Sequence, residues 1–354
     1  MFLKKEALAV AATMLLLAFG CQDDQDDPSL AVSFTEFGLD GKTVHELTLV
    51  DDLLFAATDA GLFVRDLAGN GDWEASGLPG KNIKALVALD DDTFLASEFN
   101  FGSPDNHLYK STDAGKSWTE VNDNFGGLDP EGITDLEYNS TSGELFASGT
   151  LVVAKSTDEG LTWTPIYGEW GGFSTGMDFV ARQPNNGNLW ASGQNAIEQM
   201  MLVKYDKSTE QWKEWTGLLR APSVGKDIAF DPATAGSLVI GGEHGIIRST
   251  NNGESWTKIL EDPEEVTRFY FGVDYDQQIR DRIYAASWKK DKENPQPLML
   301  HISENGGQRW QEFRHNDTDL FGGVYDMLQV KDGNKTLLYL GLFKGGVYLV
   351  SVEN

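Results

Sequence analysis

The sequence predicts an all-β fold built from similar units, and three repeated features support this prediction. A short turn motif occurs four times, the tryptophan that ends it returns at a regular interval, and apolar runs recur in step with both. The tryptophans lie 44 to 54 residues apart, at Trp73, Trp118, Trp163, Trp212, Trp256 and Trp310. An interval of roughly 40–50 residues is typical of one four-stranded propeller blade, so the chain is predicted to form a single β-propeller.

The turn motif reads S-x-[D/N]-x-G-x-[S/T]-W and occurs at residues 111–118, 156–163, 249–256 and 303–310. The fourth copy has Arg309 where the others carry Ser or Thr, and worn copies end at Trp73 and Trp212. The Asp or Asn is expected to accept hydrogen bonds from N–H groups two residues on, and the glycine permits a positive φ. The tryptophan then returns the chain into a strand. The motif residues with a predicted structural role are Asp113, Trp118, Asp158, Trp163, Asn251, Trp256, Asn305 and Trp310.

This motif resembles the Asp-box, or BNR repeat, of sialidase-like, sortilin-like and photosystem-assembly β-propellers. The resemblance implies that each copy joins the third and fourth strands of a blade, on the face opposite the usual ligand site. It also implies a structural turn rather than a catalytic or metal-binding one, so the motif itself names no ligand.

Seven apolar runs that end in small residues predict the buried second strand of each blade. They begin at Leu54, Phe94, Leu145, Leu189, Leu238, Ile283 and Leu338. The seventh run has no tryptophan strand after it, but Ser33–Phe37 matches those strands, with Phe34 in the tryptophan's place. The N-terminal strand is therefore predicted to complete the last blade, closing a ring of seven four-stranded antiparallel blades.

The chain is strongly acidic, with 55 acidic against 28 basic residues and a formal net charge of -27. Phosphate binding needs clustered Lys and Arg, so this balance disfavours nucleic acid and anionic lipid as partners. It favours solubility and would suit a cationic ligand.

Residues 1–20 are predicted to be a lipoprotein signal peptide. Lys4 and Lys5 precede an apolar run, residues 7–19, that is too short to span a bilayer comfortably. Residues 18–21, Ala-Phe-Gly-Cys, resemble a bacterial lipobox, with Ala18 where Leu is commoner. Cys21, the single cysteine, is therefore predicted to be lipidated, and two or three acyl chains would anchor it stably. An ordinary cleaved signal is the alternative.

Residues 21–30 are predicted to form an acidic flexible tether, since the run after Cys21 reads Gln-Asp-Asp-Gln-Asp-Asp-Pro. This run is similar to the acidic lipoprotein export signal of Bacteroidota, which implies the outer leaflet of the outer membrane and exposure at the cell surface. Residues 31–354 are predicted to form the propeller as one domain.

Ligands of propellers usually meet the face that carries the loops between blades and the loops between second and third strands. Those loops are long here and carry aromatic and acidic residues, which suit stacking on sugar rings or other flat ligands, or a protein interface. Alternatively, the aromatic side chains fold back to cap the blades. The ligand-binding candidates are Phe125, Trp170, Phe173, Trp215, Arg220, Arg268, Trp288 and Phe321.

A sialidase-like glycoside hydrolase is the alternative function, and it would need a cluster of three arginines. Arg220, Arg268 and Arg314 lie on adjacent predicted loops. Against this, sialidases have six blades and a Phe/Tyr-Arg-Ile-Pro motif that this chain lacks. Xyloglucanase-type hydrolases place their cleft between two seven-bladed propellers, and one is predicted here.

Motifs for metals, cofactors and activated nucleophiles are missing from the sequence. The five histidines are scattered without ligand spacing, and there is no phosphate-binding loop, nucleophile elbow or EF-hand. No cofactor is predicted. The sequence favours a non-catalytic binding lipoprotein whose propeller face takes a glycan, another nutrient or a protein. An assembly or stability factor for an envelope complex is a third hypothesis.

Overall fold

The computed structural model describes residues 30–353 apart from 70, 104, 129–130, 172–173, 216–221 and 264–265. These residues form seven sheets of four antiparallel strands each, arranged as a β-propeller. The predicted fold class is therefore confirmed. The described part of the chain contains no helix long and apolar enough to cross a membrane. Cys21 and most of the acidic segment lie outside the described residues.

The chain opens with a strand of the last blade and then builds the first three blades in order. The opening strand is β1 (Val32–Gly38). Blade 1 contains β2 (Val44–Val50), β3 (Leu53–Thr58), β4 (Gly61–Asp66) and β5 (Glu74–Ala75). Blade 2 contains β6 (Ile83–Ala88), β7 (Phe94–Glu98), β8 (His107–Ser111) and β9 (Thr119–Val121). Blade 3 contains β10 (Asp135–Asn139), β11 (Glu144–Ser148), β12 (Val152–Ser156) and β13 (Thr164–Gly168).

The remaining blades follow the same plan. Blade 4 contains β14 (Ser174–Arg182), β15 (Leu189–Asn195), β16 (Met200–Asp206) and β17 (Gln211–Glu214). Blade 5 contains β18 (Gly225–Phe230), β19 (Leu238–Gly242), β20 (Gly245–Ser249) and β21 (Thr257–Glu261). Blade 6 contains β22 (Arg268–Tyr275), β23 (Ile283–Lys289), β24 (Leu298–Ser303) and β25 (Gln311–His315). Blade 7 contains β26 (Val324–Asp332), β27 (Lys335–Leu342), β28 (Gly346–Glu353) and the opening strand β1.

The apolar runs in the sequence form the second strand of each blade, as predicted. β7 and β19 are buried at every residue. A second strand has a neighbouring strand on each side and a neighbouring blade on each face, so both of its faces are apolar. The core consequently lies between blades, where for example the rings of Phe55 and Phe94 meet at 5.1 Å.

The N-terminal strand closes the ring. β1 pairs antiparallel with β28, with Val32 opposite Val352 and Phe34 opposite Val350. The predicted closure is confirmed. The Phe34 ring lies 5.6 Å from that of His315 in blade 6, so it takes up the contact with the preceding blade that a tryptophan makes elsewhere.

The four turn motifs share one hydrogen-bond pattern. In the first, Ser111 Oγ donates to Asp113 Oδ1 at 2.8 Å and accepts from the N–H of Gly115 at 2.9 Å. Asp113 Oδ1 accepts from the N–H of Ser117 at 2.8 Å, and Gly115 has a φ of 80°. The acceptor thus reaches four residues ahead rather than the two expected. Asp158, Asn251 and Asn305 do the same, because the positive-φ residues in the middle of the loop bring its end back over the acceptor.

The motif tryptophans lie against the preceding blade. Trp118 Nε1 donates to the carbonyl of Ser76 at 2.7 Å, and Trp310 Nε1 to that of Ile259 at 2.8 Å. Trp163 is 3% exposed. Each tryptophan therefore joins two blades as well as ending a turn.

Deleting residues 30–38 should leave the blade 7 edge at β28 unpaired and lower the thermal unfolding midpoint. The remaining strand edge would expose a row of unpaired N–H and C=O groups, which also favours aggregation. Differential scanning calorimetry measures the midpoint, and adding a synthetic peptide of residues 30–38 should restore it. An unchanged midpoint in the deletion variant would contradict the closing role of β1.

Candidate functional site

The first strands of the seven blades surround a central channel. β2, β6, β10, β14, β18, β22 and β26 contact one another in turn, and β26 contacts β2. Six of these seven strands have a pairing irregularity near their start, where one or two residues bulge out of the ladder. Because strands in a blade are consecutive and antiparallel, all seven starts lie on one face, opposite the turn motifs.

The bulged residues supply the lining of the channel mouth. A cavity of about 130 Å³ there is lined by Thr134 and by one bulged residue from each of the other six blades, among other side chains. The six are His45, Lys84, Asp178, Lys226, Phe271 and Tyr325. A bulge re-aims a side chain that a regular ladder would place otherwise, and bulges are common beside functional sites.

His45 is held as a neutral imidazole with a defined tautomer. Its Nε2 lies 2.8 Å from Asn82 Oδ1, and Asn82 Nδ2 donates to the carbonyl of Phe99, which fixes the amide orientation. Burial lowers the pKa of His45 to about 3, with the nearby Lys84 acting in the same direction. Nε2 therefore carries the proton, and Nδ1 is an acceptor with no hydrogen-bond partner among the described residues.

One wall of the mouth is aromatic. The Tyr325 ring lies 5.0 Å from that of Phe271 and 6.1 Å from that of His45. Trp288 lies behind them, 5.1 Å from Tyr325, and is 4% exposed. No hydrogen bond of the Tyr325 hydroxyl is found within the described chain, and burial raises the pKa of this hydroxyl, so it stays protonated.

Two lysines in the mouth differ in their partners. Lys226 Nζ lies 2.7 Å from Asp178 Oδ1 and 5.1 Å from the centre of the Phe271 ring. Lys84 has no ion-pair partner within the described residues. Its charge acts to lower the pKa of the neighbouring Glu46, Asp135 and Asp326 carboxyls, so an incoming anionic group would compete with these three for the ammonium group.

Four carboxylates clasp neighbouring blades around the same channel. Glu46 accepts from the N–H of Leu86 at 2.8 Å, and Asp326 accepts from that of Leu47 at 2.6 Å. Asp135 and Asp227 make the corresponding bonds at 2.8 Å to the next blade. These residues belong to blades 1, 7, 3 and 5, so the clasps bridge blades 1–2, 3–4, 5–6 and 7–1.

Burial raises the pKa of all four clasp carboxyls, and their backbone hydrogen bonds act in the opposite direction. The pKa is raised to about 7 for Asp135 and to about 6 for Asp326. It lies well above the usual range for Glu46 and Asp227. In Asp135 both carboxylate oxygens already accept backbone N–H groups, so this side chain serves the fold rather than a ligand.

Among the described residues, the mouth thus offers one ammonium group without an ion pair, one imidazole acceptor, one phenol hydroxyl and an aromatic face. This set can bind a small polar molecule that has a flat apolar side and an anionic or hydroxyl group. Within the described residues, no group of three or more His, Cys, Asp or Glu side chains could hold a metal ion.

Three of the aromatic ligand-binding candidates are buried. Phe125, Trp215 and Trp288 are 3%, 6% and 4% exposed. Phe125 packs edge-on against Trp163 at 5.6 Å, and Trp215 stacks on Trp190 at 5.6 Å. Their large apolar surfaces gain more from the gaps between blades than from solvent, which favours the capping alternative.

Two further candidates, Trp170 and Phe321, pack against neighbouring side chains. Trp170 is half-buried and its ring meets Phe125 at 4.8 Å. Phe321 is half-buried beneath Lys344, whose Nζ lies 5.4 Å from its ring. Phe173 and Arg220 lie outside the described residues.

The arginines considered for a sialidase-like cluster have different partners. Arg268 pairs with the buried Asp262 at 2.8 Å, and Arg314 pairs with Glu312. They occupy the first and last strands of blade 6, which ordinary strand spacing separates by about 14 Å. Each of these two guanidinium groups is thus already paired with a carboxylate of its own.

Sequence reasoning missed the channel mouth, although a signal for it is present. Three first strands place two polar residues between apolar or small ones near their start: Val-His-Glu-Leu at 44–47, Gly-Lys-Asp-Ile at 225–228 and Val-Tyr-Asp-Met at 324–327. The pair occurs in blades 1, 5 and 7, and in each of these blades it marks the bulge residue and the clasp carboxylate.

No family model matches the sequence, and no curated protein matches it. Solved structures share the fold. A GH74 xyloglucanase from Xanthomonas campestris is 16% identical with a TM-score of 0.66, over 90% of this chain and 53% of its own. The extracellular domain of a proposed one-component system from B. thetaiotaomicron is 11% identical with a TM-score of 0.61, over 90% of this chain and 39% of its own.

A streptogramin B lyase is 13% identical with a TM-score of 0.65, over 91% of this chain and 98% of its own. This chain spans about half or less of the other two proteins. At these identities the likenesses show the seven-bladed propeller fold alone.

Asp135→Asn should lower the free energy of unfolding at pH 5. The difference in this free energy between wild type and variant, here called the stability gap, should narrow as the pH rises from 5 to 8. The wild-type carboxyl keeps its proton when folded up to a pKa of about 7, whereas the unfolded chain loses it near pH 4. The wild type therefore loses stability through this interval, and the amide does not titrate.

Urea unfolding at both pH values measures the gap. Asp158→Asn is the control, because hydrogen bonds from Thr162 lower the pKa of that carboxyl and it does not titrate in this interval. A gap that stays constant or widens for Asp135→Asn would refute the raised pKa.

Proposed function

We propose that this chain is a lipid-anchored binding protein of the bacterial envelope that takes a small polar ligand at the channel mouth. The observation that carries the proposal is the convergence of six bulged side chains from six blades on one cavity. Blade packing does not require a bulge at the equivalent position of six first strands. Bulges are common beside functional sites, so their convergence here indicates a binding site.

The cavity volume favours a small molecule, or one terminal unit of a longer one, among the ligand classes left open by the sequence. About 130 Å³ accommodates a single ring, not an extended chain. A sugar or sugar acid fits this chemistry, since its flat face would stack on Phe271 and its polar groups would meet Lys84, Tyr325 and His45. This supports the glycan or nutrient form of the hypothesis over a protein partner at this face.

Binding without hydrolysis is the form we propose. A glycoside hydrolase needs a pair of carboxyl groups free to face the scissile bond. At the mouth, Asp135 and Asp227 accept backbone N–H groups on both oxygens, and Asp178 is paired with Lys226. The two remaining carboxyls, Glu46 and Asp326, each accept a backbone N–H of the next blade. Hydrolysis of a bound oligosaccharide would contradict this part of the proposal.

Replacing Lys84 by Met should weaken ligand binding about tenfold or more, since a charge-assisted hydrogen bond is lost. A thermal-shift screen of monosaccharides, uronic acids, amino acids and nucleosides would identify the ligand, and calorimetric titration would give its affinity. Tyr325→Phe should weaken binding less, because it removes a neutral hydroxyl.

The matched control is Lys110→Met, which removes an ammonium group on the opposite face and should leave the affinity unchanged. If no compound class raises the unfolding midpoint, or if Lys84→Met binds as the wild type does, the channel mouth is not the ligand site.

The envelope part of the proposal predicts that the mature chain begins at an acylated Cys21. Expression in a Gram-negative host with labelled palmitate should label the wild type and not Cys21→Ser. Fractionation should then find the wild type with membranes and the variant in the periplasm or medium. Equal labelling of both chains, or a soluble wild type, would favour the ordinary cleaved signal.

A further inference from the structure

Turn motifs fill four of the junctions between blades on the face opposite the channel mouth. The glycine of each motif lies against the preceding blade so closely that an added Cβ would come within about 3 Å of it. Gly160 would meet Leu108 at 2.9 Å, and Gly253 would meet Trp190 at 2.8 Å. Gly115 and Gly307 are placed in the same way against blades 1 and 5. These turns close the junctions 1–2, 2–3, 4–5 and 5–6.

A basic residue at the end of the third strand holds the incoming turn in three of these junctions. Lys204 Nζ donates to the carbonyl of Asn252 at 3.2 Å, and Arg248 Nη1 donates to that of Gly306 at 2.8 Å. Lys110 Nζ donates to the carboxylate of Glu159 in the turn of blade 3. The filled junction therefore combines an apolar floor, a small residue of the turn and an oxygen acceptor for the cation.

Blade 4 lacks the motif, and its turn has a different course. Tyr205, Lys207 and Thr209 stand where the other blades have Ser, Asp or Asn, and Gly. The ladder between β16 and β17 continues through Tyr205 opposite Trp212, and Asp206 Oδ1 accepts from the N–H groups of Ser208 and Thr209. The result is a regular hairpin that does not fold back onto blade 3.

An open groove of about 590 Å³ remains between blades 3 and 4 at this position. Lys155 is the counterpart of Lys110 and Lys204, but it reaches Glu144 of its own blade at 3.3 Å instead of a turn from blade 4. Arg182 and Lys207 lie at the same groove. Its apolar lining consists of Phe146, Ile166, Leu189, Tyr205 and Trp212.

We propose that this groove docks a turn segment of a partner protein, in the manner in which the other junctions dock the chain's own turns. The segment has a small residue at its apex and a carbonyl or carboxylate oxygen that accepts from Lys155. The groove is lined by Lys155, Arg182 and Lys207 together with Glu144 and Glu210, so the partner's oxygen takes the place of Glu144 as the acceptor for Lys155.

A polypeptide fits this groove better than a sugar because four other junctions already bind polypeptide turns, three of them through a basic residue as here. Half-buried side chains form most of the apolar lining, so an apolar partner side chain would bury surface that now faces solvent. The groove faces away from the channel mouth, and so this interaction is separate from the proposed ligand binding. Both can occur in one molecule.

The test uses a fluorescein-labelled cyclic peptide with the sequence of residues 156–163, Ser-Thr-Asp-Glu-Gly-Leu-Thr-Trp. Titration with the full chain should give saturable anisotropy. Lys155→Ala should weaken binding about tenfold, as expected for losing a charge-assisted hydrogen bond. The triple variant Tyr205→Ser, Lys207→Asp, Thr209→Gly restores the motif in blade 4, so its own turn should fill the groove and abolish binding.

Lys110→Ala is the matched control, because the junction next to it is already filled and peptide affinity should not change. A peptide with valine in place of its glycine should not bind, since the added side chain would meet the groove floor. Circular dichroism and the unfolding midpoint establish that each variant folds. Three results would overturn the proposal: no saturable binding at millimolar chain, equal binding by the triple variant, or displacement of the peptide by neutral oligosaccharides.

Discussion

Pairing of β1 with β28 is the constraint on which the molecule depends. Each blade covers its two apolar faces only if it has a neighbour on both sides, so the arrangement is stable only as a closed ring. The last sheet is assembled from both ends of the chain, and closure brings distant residues together. The hydrogen bond from Leu47 to Asp326, for instance, spans 279 positions in the sequence.

Closure also creates the channel, because seven first strands in a ring must leave a gap at the axis. Side chains there are half-buried and cannot all be apolar, since strand starts also carry backbone groups that need partners. Four carboxylates meet that need by accepting N–H groups from the next blade, and the bulged neighbours of three of them are then free to face the cavity. On these three strands, the carboxylate that joins two blades is thus adjacent in sequence to a residue of the candidate ligand site.

The two faces of the ring use the blade repeat in opposite ways. On the motif face, the turn motif fills four junctions, and its absence from blade 4 leaves a groove between blades 3 and 4. On the channel face, repetition of a bulge assembles a site from dissimilar side chains, because each blade contributes a different residue at an equivalent place. On both faces, the candidate binding site thus arises where blades differ in sequence from one another.

Much of the fold could be predicted from local signals. The motif, the tryptophan interval and the apolar runs each act within about one blade, and the match of Phe34 to the tryptophan position indicated the closure. The candidate site was harder to predict. Loop aromatics such as Phe125 and Trp215 looked available to a ligand, but the gaps between blades offered them more burial than solvent did.

The sequence by itself determined the number of blades, their strand order and the way the ring closes, since these follow from short repeated patterns along the chain. The tertiary structure alone decided which side chains share a cavity. That choice depends on the angle between blades and on one-residue bulges. Packing across the ring sets both the angle and the bulges. Neither produces a regular sequence pattern from which Lys84, Tyr325 and His45 could be assigned to one site.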